Sequence, residues 1–465
     1  MKHNILKLGI MMLGLFVVLV VYLSYLQVVK GPALAASPYN RRFQEYESQV
    51  RRGTIYDVKG VALARTEFSG GKKGSRVYPR GADMAHLVGY ISDRYGRAGL
   101  ESAFDGNLLG MEGADKIKNL INKLLGKDQA GGDIALTVDS SLQKLAMDLL
   151  GSRRGAVVLL DPRTGAVRVM ASSPSYDPNH LDENWSRLVK DEASPLMNRA
   201  AQGAYPPGST FKVVTAAGAL AANPDLASKT FDCQGYLMVD GYKLTDLAVH
   251  GEVNLTKALA VSCNTTFAQL GLNLGADGFY RTVKAFGLEQ DPALEIPVRP
   301  GTMAPPGKMI PTELASSAIG QGKVLVSPLH MALVAAAIAN KGVMMRPYLV
   351  ETVKDSLGET TQRAAAHPWL NAITPEISGV IREGMVDAVR YGTARAAAVS
   401  GMQVAGKTGS AENARGQTHA WFIGFAPSDQ PRLAIAVILE NAGMGGSVAA
   451  PVAGSLLEAA INRGY

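Results

Sequence analysis

Pro206-Pro207-Gly208-Ser209-Thr210-Phe211-Lys212 opens a stretch rich in alanine, valine and leucine that runs to Ala222. Two prolines and a glycine stop the preceding chain, so the spacing predicts a buried helix with Ser209 in its first turn. Three consequences follow for Ser209. Its hydroxyl stands at the positive end of the helix dipole, its own N–H is free to donate to an oxyanion, and Lys212 lies one turn on along the same face. A lysine desolvated there, near a second cation, has its pKa lowered enough to take a serine proton. The Ser-x-x-Lys pattern is weak alone, because it recurs at Ser69-Gly70-Gly71-Lys72 and Ser141-Leu142-Gln143-Lys144. The first reads as a flexible loop and the second as a solvent-facing helix pair, since neither has the Pro-Pro-Gly lead-in.

Outward from this helix, Val157-Val158-Leu159-Leu160, the turn Asp161 to Gly165, and Val167-Arg168-Val169-Met170 read as a β-hairpin. Apolar helical stretches recur at Leu142–Leu150, Leu255–Leu272 and Ser327–Asn340, and Trp421–Phe425 and Leu433–Leu439 read as core strands. Helices enclosed between an early hairpin and late strands predict an α+β or α/β domain. A chain of 465 residues is long for one core, and 47% hydrophobic with 19% charged residues describes a globular protein. We divide it into a short cytoplasmic tail and anchor to residue 30, a non-catalytic N-terminal domain over 31–150, and a catalytic domain over 151–465.

Leu8 to Val29 carries no charge and would rise about 33 Å as a helix, enough to cross a bilayer. A cleaved signal peptide ending at Ala33-Leu34-Ala35 is the competing reading, disfavoured by the length of the apolar stretch. Lys2 and Lys7 before the span favour a cytoplasmic N-terminus, which puts everything after about residue 30 outside the membrane. The formal charge of +7 suits anionic lipid or an anionic polymer, while the absence of a concentrated basic run argues against nucleic acid. Only Cys233 and Cys263 are present, which excludes a disulfide framework and a multi-cysteine metal site. The pair is either bridged or free and buried.

Two further motifs complete the chemistry. Ser262-Cys263-Asn264 offers a hydroxyl to relay a proton between Lys212 and a leaving amine, and an amide to hold a substrate carbonyl. Lys407-Thr408-Gly409-Ser410 on an edge strand would bind a carboxylate through Lys407 and Thr408, with Gly409 leaving room for a peptide alongside. Gly401 to Thr408 also fits a phosphate-binding loop letter for letter, with Ala434–Glu440 as a partner strand. That rival requires a helix directly after Thr408, whereas Gly409 to Gly416 reads as a turn toward Trp421.

Ser-x-x-Lys, Ser-x-Asn and Lys-Thr-Gly in this order resemble the set of penicillin-binding proteins and class A β-lactamases. With the anchor, Arg52-Gly53-Thr54-Ile55-Tyr56-Asp57, Gly99-Leu100-Glu101 with Phe104, the Val157–Met170 hairpin and His250-Gly251-Glu252, the chain resembles class B penicillin-binding proteins over nearly its whole length. No Glu-x-x-x-Asn element lies between Asn264 and Lys407, which separates it from class A β-lactamases. The region between anchor and hairpin is too short for a glycosyltransferase domain.

The resemblance implies an α+β fold: one transmembrane helix, a small, mostly β pedestal, and a transpeptidase domain whose sheet carries helices on both faces. It makes Ser209 the acylated nucleophile, Lys212 its general base, and Ser262 and Asn264 aids to proton transfer and positioning. Lys407 and Thr408 would hold the substrate carboxylate, and the N–H groups of Ser209 and Ser410 would form the oxyanion hole. The implied reaction cross-links peptidoglycan stem peptides at D-Ala-D-Ala without metal or cofactor, and β-lactams acylate the same serine. The implied partners are the cytoplasmic membrane and a polytopic membrane glycosyltransferase.

Overall fold

The computed structural model describes residues 2–31, 46–47, 49–68, 74–413 and 416–465. The proposed cleavage site Ala33-Leu34-Ala35 and the Ser69–Lys72 decoy lie outside them.

The catalytic region is built on a five-stranded antiparallel sheet. Its strands run in the order Val167–Ser173, Gly155–Leu160, Leu433–Leu439, His419–Ala426 and Ala405–Ala411. Successive side chains point to opposite faces, so Val157, Leu159, Ile435 and Val437 enter one core while Ala156, Val158, Ala434 and Ala436 enter another. Gly445–Ile461 and Ser140–Leu150 cover the first face, and Pro328–Ala339 covers the second. Pro328–Ala339 is apolar nearly all round, and every one of its residues is buried. Helices on both faces of the sheet agree with the expected fold class.

The apolar stretch Leu255–Leu272 is not one helix. It divides into Leu255–Ala260 and Asn264–Ala285, separated by a turn in which Ser262 adopts a positive φ of 64°. A serine in the left-handed region is uncommon, and the turn is held by a buried hydrogen-bond network described below.

The N-terminal region carries a six-stranded sheet in the order Thr360–Arg363, Val350–Lys354, Ile134–Leu136, Ile55–Tyr56, Ala62–Phe68 and Gly74–Val77. Two of its strands come from far along the chain, so the pedestal sheet is completed by residues that follow the Ser262 motif. The segment also contains a 12-residue helix, Gly113–Leu124. At the N-terminus a helix over Lys2–Tyr25 continues as a wider turn through Leu26–Lys30. It is long and apolar enough to cross a membrane, and none of its apolar window is buried among the described residues.

Candidate active site

The serine segment begins as a tight helical turn, Gly208–Phe211, before the regular helix Lys212–Ala222. Gly208 has a φ of 55°, which glycine adopts without steric cost, and its N–H donates to Gly320 O at 2.8 Å. Thr210 Oγ1 donates to Pro207 O at 2.8 Å, and the Trp421 indole N–H donates to Pro206 O at 3.0 Å. Phe211 is fully buried against Phe279, which contributes about 2–3 kcal/mol to holding the turn in place. Ser209 is thus presented, half-buried, from a segment fixed at both ends.

Lys407 to Ser410 lies on Ala405–Ala411, the edge strand of the sheet, paired to Ala420–Ile423. A Cβ on Gly409 would come within 2.8 Å of Pro207 O and 3.2 Å of Thr210 N. The space that Gly409 leaves is therefore filled by the serine turn itself, which corrects the expectation that it makes room for a passing peptide. The strand also ends the phosphate-loop reading: Lys407 and Thr408 sit inside a β-strand, with no helix N-terminus behind them.

All three motifs converge on one hydroxyl. Lys212 Nζ lies 3.2 Å from Ser262 Oγ, 2.5 Å from Ser262 O and 2.6 Å from Asn264 Oδ1. Lys407 Nζ lies 2.8 Å from the same Ser262 Oγ and 2.9 Å from Thr408 O. Both lysines are fully buried. Burial pushes the Lys212 ammonium down to about 8, against the opposing pull of the Asp246 carboxylate. Lys407 is held well below the ordinary lysine range, first by burial and then by the Lys212 charge. Such a pair can hold a neutral amine at Lys212, one turn along the helix from Ser209, near neutral pH.

Several supporting residues carry no motif and were missed. Asp246 accepts from the N–H groups of Asn264 and Thr265, at 2.8 and 3.0 Å, so it caps the helix that carries Asn264. Burial works against its charge, but those N–H donors outweigh it and hold the carboxyl below its usual range. Thr393 Oγ1 is 2.7 Å from Thr408 Oγ1. Ser410 Oγ accepts from Gly445 N at 3.2 Å. The Ser141–Lys144 decoy behaves as expected, with Lys144 exposed and paired to Asp148.

Cys233 and Cys263 are both buried and free, their sulfurs 3.1 Å apart. Beside them lie Asp246 and His250, and one donor atom from each of the four residues falls within 4.8 Å of the others. The cysteine count alone argued against a multi-cysteine metal site, and the fold sets two further donor side chains beside the thiols. The four donors are two thiols, a carboxylate and an imidazole, and the Asp246 oxygens among them already accept from the Asn264 and Thr265 N–H groups.

The penicillin-binding protein transpeptidase domain matches residues 155–458, and the penicillin-binding protein A dimerisation domain matches residues 52–134. Peptidoglycan D,D-transpeptidase PbpA of Mycolicibacterium smegmatis is 35% identical, covering 100% of both chains. Peptidoglycan D,D-transpeptidase MrdA of Acinetobacter baumannii is 33% identical over 81% of this chain and 64% of its own length. The ceftriaxone acyl-enzyme complex of penicillin-binding protein A from M. tuberculosis superposes with a TM-score of 0.85 at 34% identity, covering 89% of this chain and 99% of that one. Motif geometry, domain matches and full-length similarity agree: the chain belongs to the class B penicillin-binding proteins, the peptidoglycan D,D-transpeptidases.

Proposed function

We propose that Ser209 is the acylated nucleophile and that neutral Lys212 removes its proton. Ser209 Oγ attacks the carbonyl of the penultimate D-Ala of a donor stem peptide, and the oxyanion is held by the N–H groups of Ser209 and Ser410. Ser262 passes the proton from Lys212 to the departing D-Ala amine, and Asn264 holds the substrate amide. An acceptor amine then attacks the ester, releases Ser209 and completes the cross-link. A β-lactam enters the same first step and leaves a slowly hydrolysed ester.

Lys407 and Thr408 receive the substrate carboxylate. The arrival of that carboxylate raises the affinity of Lys407 for its proton, and the recharged Lys407 favours neutral Lys212 across the shared hydroxyl. The base is thereby readied by the group it is meant to recognise. What carries this reading is that one Ser262 Oγ lies within hydrogen-bond distance of both ammonium groups. Acylation by a β-lactam and by its methyl ester tests it. The wild-type protein should strongly prefer the free acid, and Lys407→Ala should abolish the preference; a variant that kept the preference would remove Lys407 from carboxylate recognition.

The one membrane-length apolar helix among the described residues supports a membrane-anchored protein with residues after about 30 on the extracytoplasmic side, where the cross-linked polymer lies. Residues 31–150 act as a pedestal, with 350–363 completing its sheet, and 151–465 carry the transpeptidase chemistry. A polytopic membrane glycosyltransferase is the partner proposed for the span and pedestal. Protease added to intact spheroplasts should digest the chain; full protection would reverse the assigned orientation.

A further inference from the structure

The helix Gly113–Leu124 is turned inside out. Its polar side faces the protein: Asp115 and Asn119 are 5% and 2% exposed. Asp115 accepts from the Ser356 N–H and hydroxyl, and Asn119 bonds Gly110 O, Ala130 O and Ala130 N. Its apolar side faces outward, with Ile117, Leu120 and Ile121 at 65, 61 and 50% exposed and Leu124 at 80%. Among the described residues, none of the four enters a hydrophobic cluster. A helix docked by its polar face leaves an apolar stripe that water does not favour.

Charge identifies what covers it. Lys116 and Lys123 lie along one edge of the stripe, and Lys127 follows the helix, all three exposed. Beside the helix opens a cavity of about 1020 Å³ whose lining includes Arg51, Lys118, Lys123 and Lys127 against the single acid Asp128. An apolar stripe flanked by lysines is the pattern of a helix lying in a lipid interface. A second copy of the same surface would bring these cations together, which disfavours self-docking.

The position agrees. Val50–Arg51 pairs with Gln129–Ala130 just after the helix, and the Tyr46 hydroxyl bonds Leu109 O just before it. This is where the chain enters the pedestal from its anchor. The segment between Gly31 and Tyr46 spans at most about 54 Å, so the helix is tethered within that reach of the anchor. At that effective concentration even a weak interfacial contact is occupied.

We propose that Gly113–Leu124 lies on the membrane surface, with its apolar stripe at the acyl boundary and anionic phospholipid headgroups in the basic cavity. Contact at this second point, after the transmembrane anchor, fixes the tilt of the pedestal and hence where the active site is held. The test is a spin label on Leu120→Cys in the full-length protein, reconstituted in nanodiscs of phosphatidylcholine alone or mixed equally with phosphatidylglycerol. Label on the parent protein gives the blank for buried Cys233 and Cys263, and Lys308→Cys gives a solvent reference. In the anionic discs the ratio of oxygen to nickel-chelate accessibility at Leu120→Cys should exceed the reference by roughly threefold. It should fall toward the reference in pure phosphatidylcholine and in the variant K116Q/K123Q/K127Q, which should still be acylated by penicillin. A label as accessible to the nickel chelate as the reference in both lipids would overturn the proposal. Concentration-dependent spin–spin broadening in detergent would also overturn it, by showing that a second copy covers the face.

Discussion

Two clusters of buried cations sit in this molecule and behave oppositely. In the pedestal, Arg52 is 4% exposed, yet its Nε donates to Glu101 Oε2, its Nη1 to Asp105 Oδ1 and its Nη2 to Glu101 O, each at 2.7 Å. Arg76 Nε donates to the other Glu101 oxygen at 2.7 Å. Burial opposes the charge on Arg52, but the Glu101 and Asp105 carboxylates more than compensate and raise its pKa. For Glu101, burial is likewise outweighed by Arg76 and Arg52, so it stays ionised. In the cleft, Lys212 and Lys407 are as deeply buried but share a neutral hydroxyl and amide and carbonyl oxygens, and both are lowered. Burial is common to the two; partners decide whether it makes a brace or a base.

The comparison breaks most sharply at the lysine. Lys212→Met should reduce acylation by penicillin by about 10³-fold while changing the thermal midpoint little, because a buried amine bonded to neutral oxygens rather than to a carboxylate is replaced by an apolar chain. Stopped-flow acylation with calorimetry on the same sample reads both, and a large loss of stability would mean that the lysine is a brace. Glu101→Ala should do the reverse. Removing the buried carboxylate that Arg52 and Arg76 share costs about 3–5 kcal/mol, seen as a lowered denaturant midpoint, while the folded fraction still acylates.

The sequence carried the three motifs because each is short and local. Its reading of the sheet held because strands such as Leu433–Leu439 are apolar on both faces and are bounded by turns. Ser262 was harder. Leu255–Leu272 is apolar throughout, and nothing local marks the break that aims the Ser262 side chain at two lysines. Asp246, Thr393 and His250 were invisible as site residues because the fold alone brings them there. The pedestal sheet was illegible for the same reason, since Val350–Lys354 pairs with Ile134–Leu136 from across the chain. For Gly113–Leu124, apolar spacing says that a helix has two faces but not which one the body will take.

A smaller effect sharpens the account of the cleft through pH. Lys212 must be neutral to act, so a pKa of about 8 means that protons compete with the reaction as pH falls. The second-order acylation rate should rise with pH, roughly tenfold per unit below about 7, and level off above about 8. A flat profile between pH 5 and 9 would show that Lys212 does not titrate in this range. Smaller still, Asp246→Ala should remove the cap of the Asn264 helix at a cost of about 1–2 kcal/mol. It should also slow acylation by roughly tenfold, because Asn264 loses its fixed position. Unchanged stability and unchanged acylation together would deny Asp246 its supporting role.

The central claim is that Ser209, at the head of the helix that carries the depressed Lys212, is the nucleophile. The most direct test is peptide mapping of the full-length protein after exposure to penicillin. The account predicts a single penicilloyl adduct on the peptide carrying Ser209, absent in Ser209→Ala. An adduct on any other residue, or labelling that survives in Ser209→Ala, would contradict it.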